Sequence, residues 1–445
     1  MRLARFLALP AILALLAGPI AAEEPGEAWA RLAEAGVAAA SQGRLAEAEA
    51  DFRIARELAQ KLPPDDPRRA ISANNLGFAL YAQGRVAAAL PLYREALSSR
   101  EASLGRSHPA TAQSLANLAE ALRAQGNHVE AEALQRRALE IRRARLPANH
   151  PDLAQSLNDL GVLLTDLGRF AEAEPLYREA LAIRTAVFGQ RHPAVAETLG
   201  HLGALAFARA RLAEAEQHYR QALAIEEEIY GRDDPATAVT AGNLATVLLQ
   251  AGRAADAAAL RERVLALRIA AFGTDGLEAA TAREALAQAL LRQGETERAR
   301  SLLEASLAAR ERLQGPSHPE LAPVLMVLAG IRRAAGDRMA ALALVTRAVA
   351  IQEQAFGAND PRLAAGLNDL ALLAAERGAL SEAESLLQRA LRIEQEVLGK
   401  NSPALVVTLR NRAELLAALG RPEAAEAARQ RARTIEAAAA PPAPQ

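Results

Sequence analysis

The sequence contains no cysteine, and aromatic residues are 3% of its 445 positions. The first absence excludes a disulfide framework, a thiolate metal site, a cysteine nucleophile and a lipidated cysteine. An excess of either charge is also missing. Lys+Arg number 52 against 53 Asp+Glu, a net charge of −1, which gives no electrostatic reason to expect nucleic acid or an acidic membrane surface as partner. Lysine itself is nearly absent: Lys61 and Lys400 stand alone among the basic residues. That arginine bias goes with heavy Ala and Leu usage and reads as genomic composition. What the chain does have is apolar content, 51%, which excludes general disorder.

Met1–Ala22 has the three parts of a secretory signal: Arg2 and Arg5, an apolar Phe6–Leu16, and a small-residue site Ile20-Ala21-Ala22 before Glu23. Its apolar stretch is shorter than the ~20 residues needed to span a bilayer. Cleavage between Ala22 and Glu23 is therefore expected, with export to the periplasm or medium and no stable membrane insertion afterwards. A retained anchor is the alternative.

From Pro25 onward the chain repeats. Pro67, Pro109, Pro151, Pro193, Pro235, Pro319, Pro361 and Pro403 lie on a 42-residue grid that Leu277 alone breaks. Glycine keeps the same interval from Gly84 to Gly420, with Ala210 as the exception. Proline in a helix's first turn costs no hydrogen bond, and glycine after an apolar run suits a left-handed C-cap. Each unit thus reads as helix A, a Gly-Arg turn, a longer helix B and a short joint. Apolar residues at three- and four-residue spacing support this, as in Leu157, Leu160, Leu163 and Leu164. Small residues at matched places, Gly77 to Ala413 in helix A and Ala89 to Ala425 in helix B, let two helices cross closely. The fold class is all-α: about ten helix–turn–helix repeats, starting near residues 25, 67, 109, 151, 193, 235, 277, 319, 361 and 403, stacked as an α-solenoid over residues 23–436. Arg412, Arg429 and Arg433 replace apolar residues in the last copy, as a terminal cap would, and 437–445 is expected to be a disordered tail. A loose joint is expected at Gly273-Thr-Asp-Gly276, where proline is missing and Arg261 takes an aromatic place; Asp275 with Glu278 could cap the next helix instead.

The order Leu-Gly/Ala, Gly-Arg-x-x-Glu-Ala-Glu, Tyr-x-x-Ala-Leu, clearest in residues 151–192, resembles the tetratricopeptide repeat. The 42-residue period, the Asn-Asp-Leu or Asn-Asn-Leu of helix A and the Gly-x-x-His-Pro joint are similar to its kinesin-light-chain-like subclass. The resemblance implies a right-handed superhelix whose helix A residues line a concave groove for a peptide or protein.

No catalytic chemistry is read. His108, His150, His192 and His318 sit in the joints, too far apart to share a metal ion, and read as caps; no metal site, phosphate loop or cofactor is expected. Paired acids such as Glu47/Glu49 and Glu172/Glu174 open helix B, where the helix dipole favours them. The functional surface is the helix A face opposite the core leucines. Its candidates are Asn74, Tyr81, Arg123, Asn158, Arg333 and Asn368. An asparagine can donate to and accept from a peptide backbone at once, and the family resemblance puts groove asparagines in that role; bonds between helices are the competing reading. The favoured function is an exported, non-enzymatic scaffold for a protein or extended peptide. A regulatory arm acting on a separate effector polypeptide is the alternative, and an enzyme the least favoured.

Overall fold

The computed structural model describes residues 25–439. The signal segment and its expected cleavage site at Ala22/Glu23 lie outside them. Among the described residues there are twenty α-helices, a 3₁₀ turn at Pro235–Thr237 and no strand. None of these helices is long and apolar enough to cross a membrane.

The helices form two compact units, each described separately. Residues 25–232 hold α1 (Pro25–Ser41), α2 (Leu45–Gln60), α3 (Pro67–Ala82), α4 (Val86–Leu104), α5 (Pro109–Ala124), α6 (His128–Arg145), α7 (Pro151–Asp166), α8 (Phe170–Phe188), α9 (Pro193–Ala208) and α10 (Leu212–Tyr230). Residues 233–439 hold α11 (Ala238–Gln250), α12 (Ala254–Phe272), α13 (Leu277–Gln293), α14 (Thr296–Gln314), α15 (Leu321–Ala334), α16 (Arg338–Phe356), α17 (Leu363–Glu376), α18 (Leu380–Leu398), α19 (Leu405–Ala418) and α20 (Pro422–Ala439). Odd-numbered helices are helix A of a repeat and even-numbered ones helix B. Helix α20 runs three residues into the expected tail.

The joints explain where helix A begins. His108, His150 and His192 each turn Nδ1 toward the backbone N–H two residues on and accept its hydrogen bond, at 3.1, 3.1 and 3.2 Å. Asp66 and Asp234 do the same with a carboxylate oxygen at 2.9 and 2.8 Å. Each orphan N–H of the first turn gains a partner, and the following proline has none to lose. At the other end the turn residue takes positive φ, glycine in every repeat but one; Ala210 holds φ 56° despite its Cβ.

The small places of helix A are matched to helix B by size. A Cβ built on Gly161 would lie 2.7 Å from Tyr177 Cε1, and one on Gly36 2.5 Å from Phe52 Cε1. Gly77 and Gly203 face Tyr93 and Tyr219 at 3.0 Å in the same way. Where alanine stands at this place, the residue 16 positions on is not aromatic: Gln135, Arg261, Leu303, Val345, Leu387 and Arg429. The pairing keeps the volume between the two helices nearly constant, as close packing requires.

At the Gly273–Gly276 joint the capping alternative does not hold. The N-cap of α13 is Gly276 and no side chain caps it, so Asp275 is not the cap. Asp275 instead pairs with Arg312 at 3.2 Å, and Arg283 donates to the Thr274 carbonyl at 2.8 Å. Arg261, at the aromatic place, is buried and donates to the Ala285 carbonyl and to Gln288 Oε1. Of the three arginines in the last copy, Arg429 and Arg433 are exposed and both paired with Glu426, whereas Arg412 is half-buried with its Nε unpartnered.

Candidate binding face

The two layers of each unit are tied by side chains of different length. Successive helices of the odd layer are joined by short amides: Asn117 Nδ2 donates to Asn74 Oδ1 at 2.6 Å and Asn411 Nδ2 to Asn368 Oδ1 at 2.9 Å. Successive helices of the even layer need an arginine and a glutamate to meet, as in Arg56–Glu95 and Arg143–Glu179, each 2.7 Å, and Arg389–Glu353, 2.8 Å. The odd helices are the closer set, so within each unit they form the inner face.

Four of the six sequence candidates lie in the first unit. Tyr81 and Arg123 come together around a residue that joins them: Tyr81 Oη donates to Glu120 Oε1 at 2.8 Å, and Arg123 Nε and Nη2 grip the same carboxylate, both at 2.8 Å. Arg123 Nη1 also reaches Asp166 on α7. The bond to Glu120 first, and the charge of both carboxylates, push the Arg123 guanidinium further up from its ordinary value. Tyr81, Glu120, Arg123 and Asp166 are thus one bonded cluster across α3, α5 and α7. Asn74 is half-buried beside it. Arg333 and Asn368 belong to the second unit, where Arg333 is half-exposed and 3.9 Å from Glu376.

The asparagines need a correction. Asn158 is 1% exposed and Asn368 6%, so neither faces an open groove. Asn158 Oδ1 lies 2.8 Å from His201 Nδ1 on α9, and Asn368 Nδ2 donates to the Ala364 carbonyl and to Thr408 Oγ1 at 2.9 and 2.7 Å. Their place in the repeat falls on the seam between odd helices, where a short amide is within reach of the next helix.

A second group, not singled out from the sequence, lies in helix B. Arg100, Arg142 and Arg184 stand 42 residues apart in helix B, and Arg142 and Arg184 are 1% and 3% exposed. Each donates to a carbonyl in the first turn of the next helix A and to a hydroxyl one turn later: Arg142 to the Asp152 carbonyl at 3.0 Å and Ser156 Oγ at 2.7 Å, Arg184 to the Ala194 carbonyl at 2.9 Å and Thr198 Oγ1 at 2.8 Å. The first-turn acids of helix B also have partners beyond the dipole. Glu49 accepts from Gln83 at 2.8 Å and Arg85 at 2.7 Å in the next repeat, and Glu132 from Arg169.

Glu394 occupies the arginine place in α18. It is 6% exposed, with Oε2 buried and unpartnered. Burial pushes its carboxyl up, against the Thr408 hydroxyl that donates to Oε1 at 3.2 Å. With the folded pKa above the unfolded one (about 4.3), the site is least costly below the unfolded value and stability falls as pH rises through the folded value. Glu394→Gln is therefore expected to stabilise α17–α20 at pH 7.5, by about 1 kcal/mol, and to do little at pH 4. Hydrogen exchange of α19 at both pH values measures it; an equal gain at each would leave the carboxyl's charge with no part in the effect.

The sequence repeats match a known family model. The model described as tetratricopeptide repeat matches residues 27–102, 68–144, 152–228, 194–270, 236–312, 278–354, 320–393 and 362–435. The chain belongs to the tetratricopeptide repeat family. No curated sequence is significantly similar to it. Among solved structures, this tetratricopeptide repeat protein is similar to the apo form of RapI, with a TM-score of 0.63 and 12% identity over 83% of this chain and 97% of that one. It is also similar to the apo form of the quorum sensor NprR from B. thuringiensis, at 0.57 and 15% over 74% and 88%. BtubC (BKLC) from P. vanneervenii is 27% identical over 51% of this chain and 92% of its own, with a TM-score of 0.45. RapI and NprR are likenesses of fold. Tetratricopeptide repeat proteins of this kind are scaffolds that bind protein or peptide partners.

Proposed function

We propose that this chain is an exported, non-enzymatic scaffold that holds a protein or an extended peptide against the inner face of residues 67–208. The observation that carries this reading is the bonded cluster Tyr81–Glu120–Arg123–Asp166, with Phe78, Val162 and Phe207 half-buried at neighbouring places of the same face. Aromatic and arginine side chains held in one geometry lose little entropy on binding and dominate recognition surfaces. The non-enzymatic reading is supported by how the titratable groups are used: the joint histidines serve as helix caps, and the acids of helix B bond to arginines of the next repeat.

Two measurements test it. Export requires that the protein recovered outside the cytoplasm begin at Glu23; a soluble cytoplasmic form that keeps Met1 would reject the compartment. For binding, partners crosslinked to the exported protein should be lost from Tyr81→Ala/Arg123→Ala, with affinity down about tenfold or more, the scale of one hot-spot residue. Val129→Ala/Met339→Ala, two exposed residues opening even helices, should bind as the wild type does. Equal affinity of the first pair and the wild type would move the surface elsewhere.

A further inference from the structure

Behind the inner face, two hydrogen-bond chains run from the buried arginines to its surface. In the first, Arg142 Nη2 donates to Gln113 Oε1 at 2.6 Å, Gln113 Nε2 to Asn117 Oδ1 at 2.8 Å, and Asn117 Nδ2 to Asn74 Oδ1 at 2.6 Å. In the second, Arg184 Nη2 donates to Gln155 Oε1 at 2.6 Å and Gln155 Nε2 to Asp159 Oδ1 at 2.8 Å. An amide can turn either way in such a chain, but a guanidinium cannot: it has donors and no acceptor, and it stays charged in proteins. Its direction is imposed on every amide that follows.

We propose that Arg142 is a positioning residue that sets the hydrogen-bond polarity of the inner face at Asn74, making that amide a donor. With Asn74 Oδ1 turned to accept from Asn117, the atom this half-buried side chain turns away from that bond is the donor Nδ2. The second chain differs, because the Asp159 carboxylate accepts whichever way Gln155 turns and Arg184 imposes no direction there. The partner of complementary chemistry is an extended peptide with a backbone carbonyl or carboxylate against Asn74. Its use by a ligand rests on the peptide-binding reading above; the polarity belongs to the free chain.

Gln113→Glu separates polarity from packing. The new carboxylate keeps the bond from Arg142 but cannot donate, so Asn117 must turn Nδ2 toward it. Asn117 then presents Oδ1 to Asn74, and Asn74 turns in its turn, offering its carbonyl to the face. Side-chain amide exchange in full-length protein carrying ¹⁵N-asparagine, with Asn74→Asp and Asn117→Asp for assignment, reads this without any ligand. In the wild type, one Asn117 Nδ2 proton should exchange at least about tenfold more slowly than those of Asn74; in Gln113→Glu, Asn74 should slow by about tenfold while Asn117 stays protected. Arg142→Met removes the donor that starts the chain, and exchange at the two residues should then converge. If that variant does not fold, the wild type and Gln113→Glu decide the question. Asn74 protected already in the wild type, or unchanged in Gln113→Glu, would overturn the proposal while leaving the groove variants' result standing; loss of the groove result would not touch the exchange data.

Discussion

Replacing Arg142 by alanine is expected to lower the opening free energy of α6–α7 by about 2–4 kcal/mol, the range for a buried hydrogen-bond network broken from one side. Three acceptors, two half-buried and one buried, would lose this donor: Gln113 Oε1, the Asp152 carbonyl and Ser156 Oγ. Ser156 is 0% exposed, so water cannot replace the guanidinium without the helices parting. Burial pulls the Arg142 guanidinium down from its ordinary value, yet not to neutrality, and removing a desolvated charge returns part of the loss. Arg142→Met, which keeps most of the volume, should recover packing but not the acceptors. Arg142→Lys should fall between, since a point charge cannot serve a carbonyl, a hydroxyl and an amide at once. Repeat arrays need not unfold in one step, so hydrogen exchange along α5–α8 is the appropriate measurement. Wild-type protection in Arg142→Ala would mean that the arginine ladder does not hold the repeats together.

The second large effect concerns the smallest side chains. Gly161→Ala would place a Cβ 2.7, 2.9 and 3.0 Å from three ring carbons of Tyr177, and that ring is 1% exposed with nowhere to swing. Alanine normally stabilises a helix interior by about 1 kcal/mol over glycine. Overpacking of this kind costs about 1–3 kcal/mol or more, so a net loss of about 1–2 kcal/mol is expected. The chain already contains the compensated form, because Ala287 faces Leu303 and Ala371 faces Leu387 in the same two places. Gly161→Ala/Tyr177→Leu should therefore be more stable than the sum of its single variants, by about 1 kcal/mol or more in a double-mutant cycle. Additive single effects would show that the two places do not sense each other's size.

Much of this architecture is legible in the sequence for simple reasons. A 42-residue grid of proline and glycine marks where helices start and stop, to within two residues after Pro319, Pro361 and Pro403, because proline has no N–H to leave unpaired and glycine takes positive φ at little cost. The joint histidines read as caps on the same grounds. The size matching of Gly161 with Tyr177 and of Ala287 with Leu303 is also written in the sequence, but it shows only when one repeat is compared with another. The site was harder. The wheel that places Asn158 opposite the core leucines is right about direction, yet a helical period cannot tell an open face from a seam against the next helix of the same layer. The buried arginines were invisible for a related reason. Arg142 looks like any surface arginine until Asp152, Ser156 and Gln113, which lie 10, 14 and 29 residues away, are brought around it. Tyr81 and Arg123 have places beyond the seam; Glu120 has a place on the same face, and its bonds to both became visible only in the fold.

Site-resolved photo-crosslinking tests the inner-face reading most directly. A photoreactive residue placed at Phe78 or Phe207, on the inner face, and at Val129 or Met339, which open helices of the even layer, would be irradiated in the full-length protein. The expected result is one stoichiometric adduct from 78 and 207 and none from 129 and 339. Adducts confined to 129 and 339, or equal from all four positions, would contradict a binding face on the odd-numbered helices.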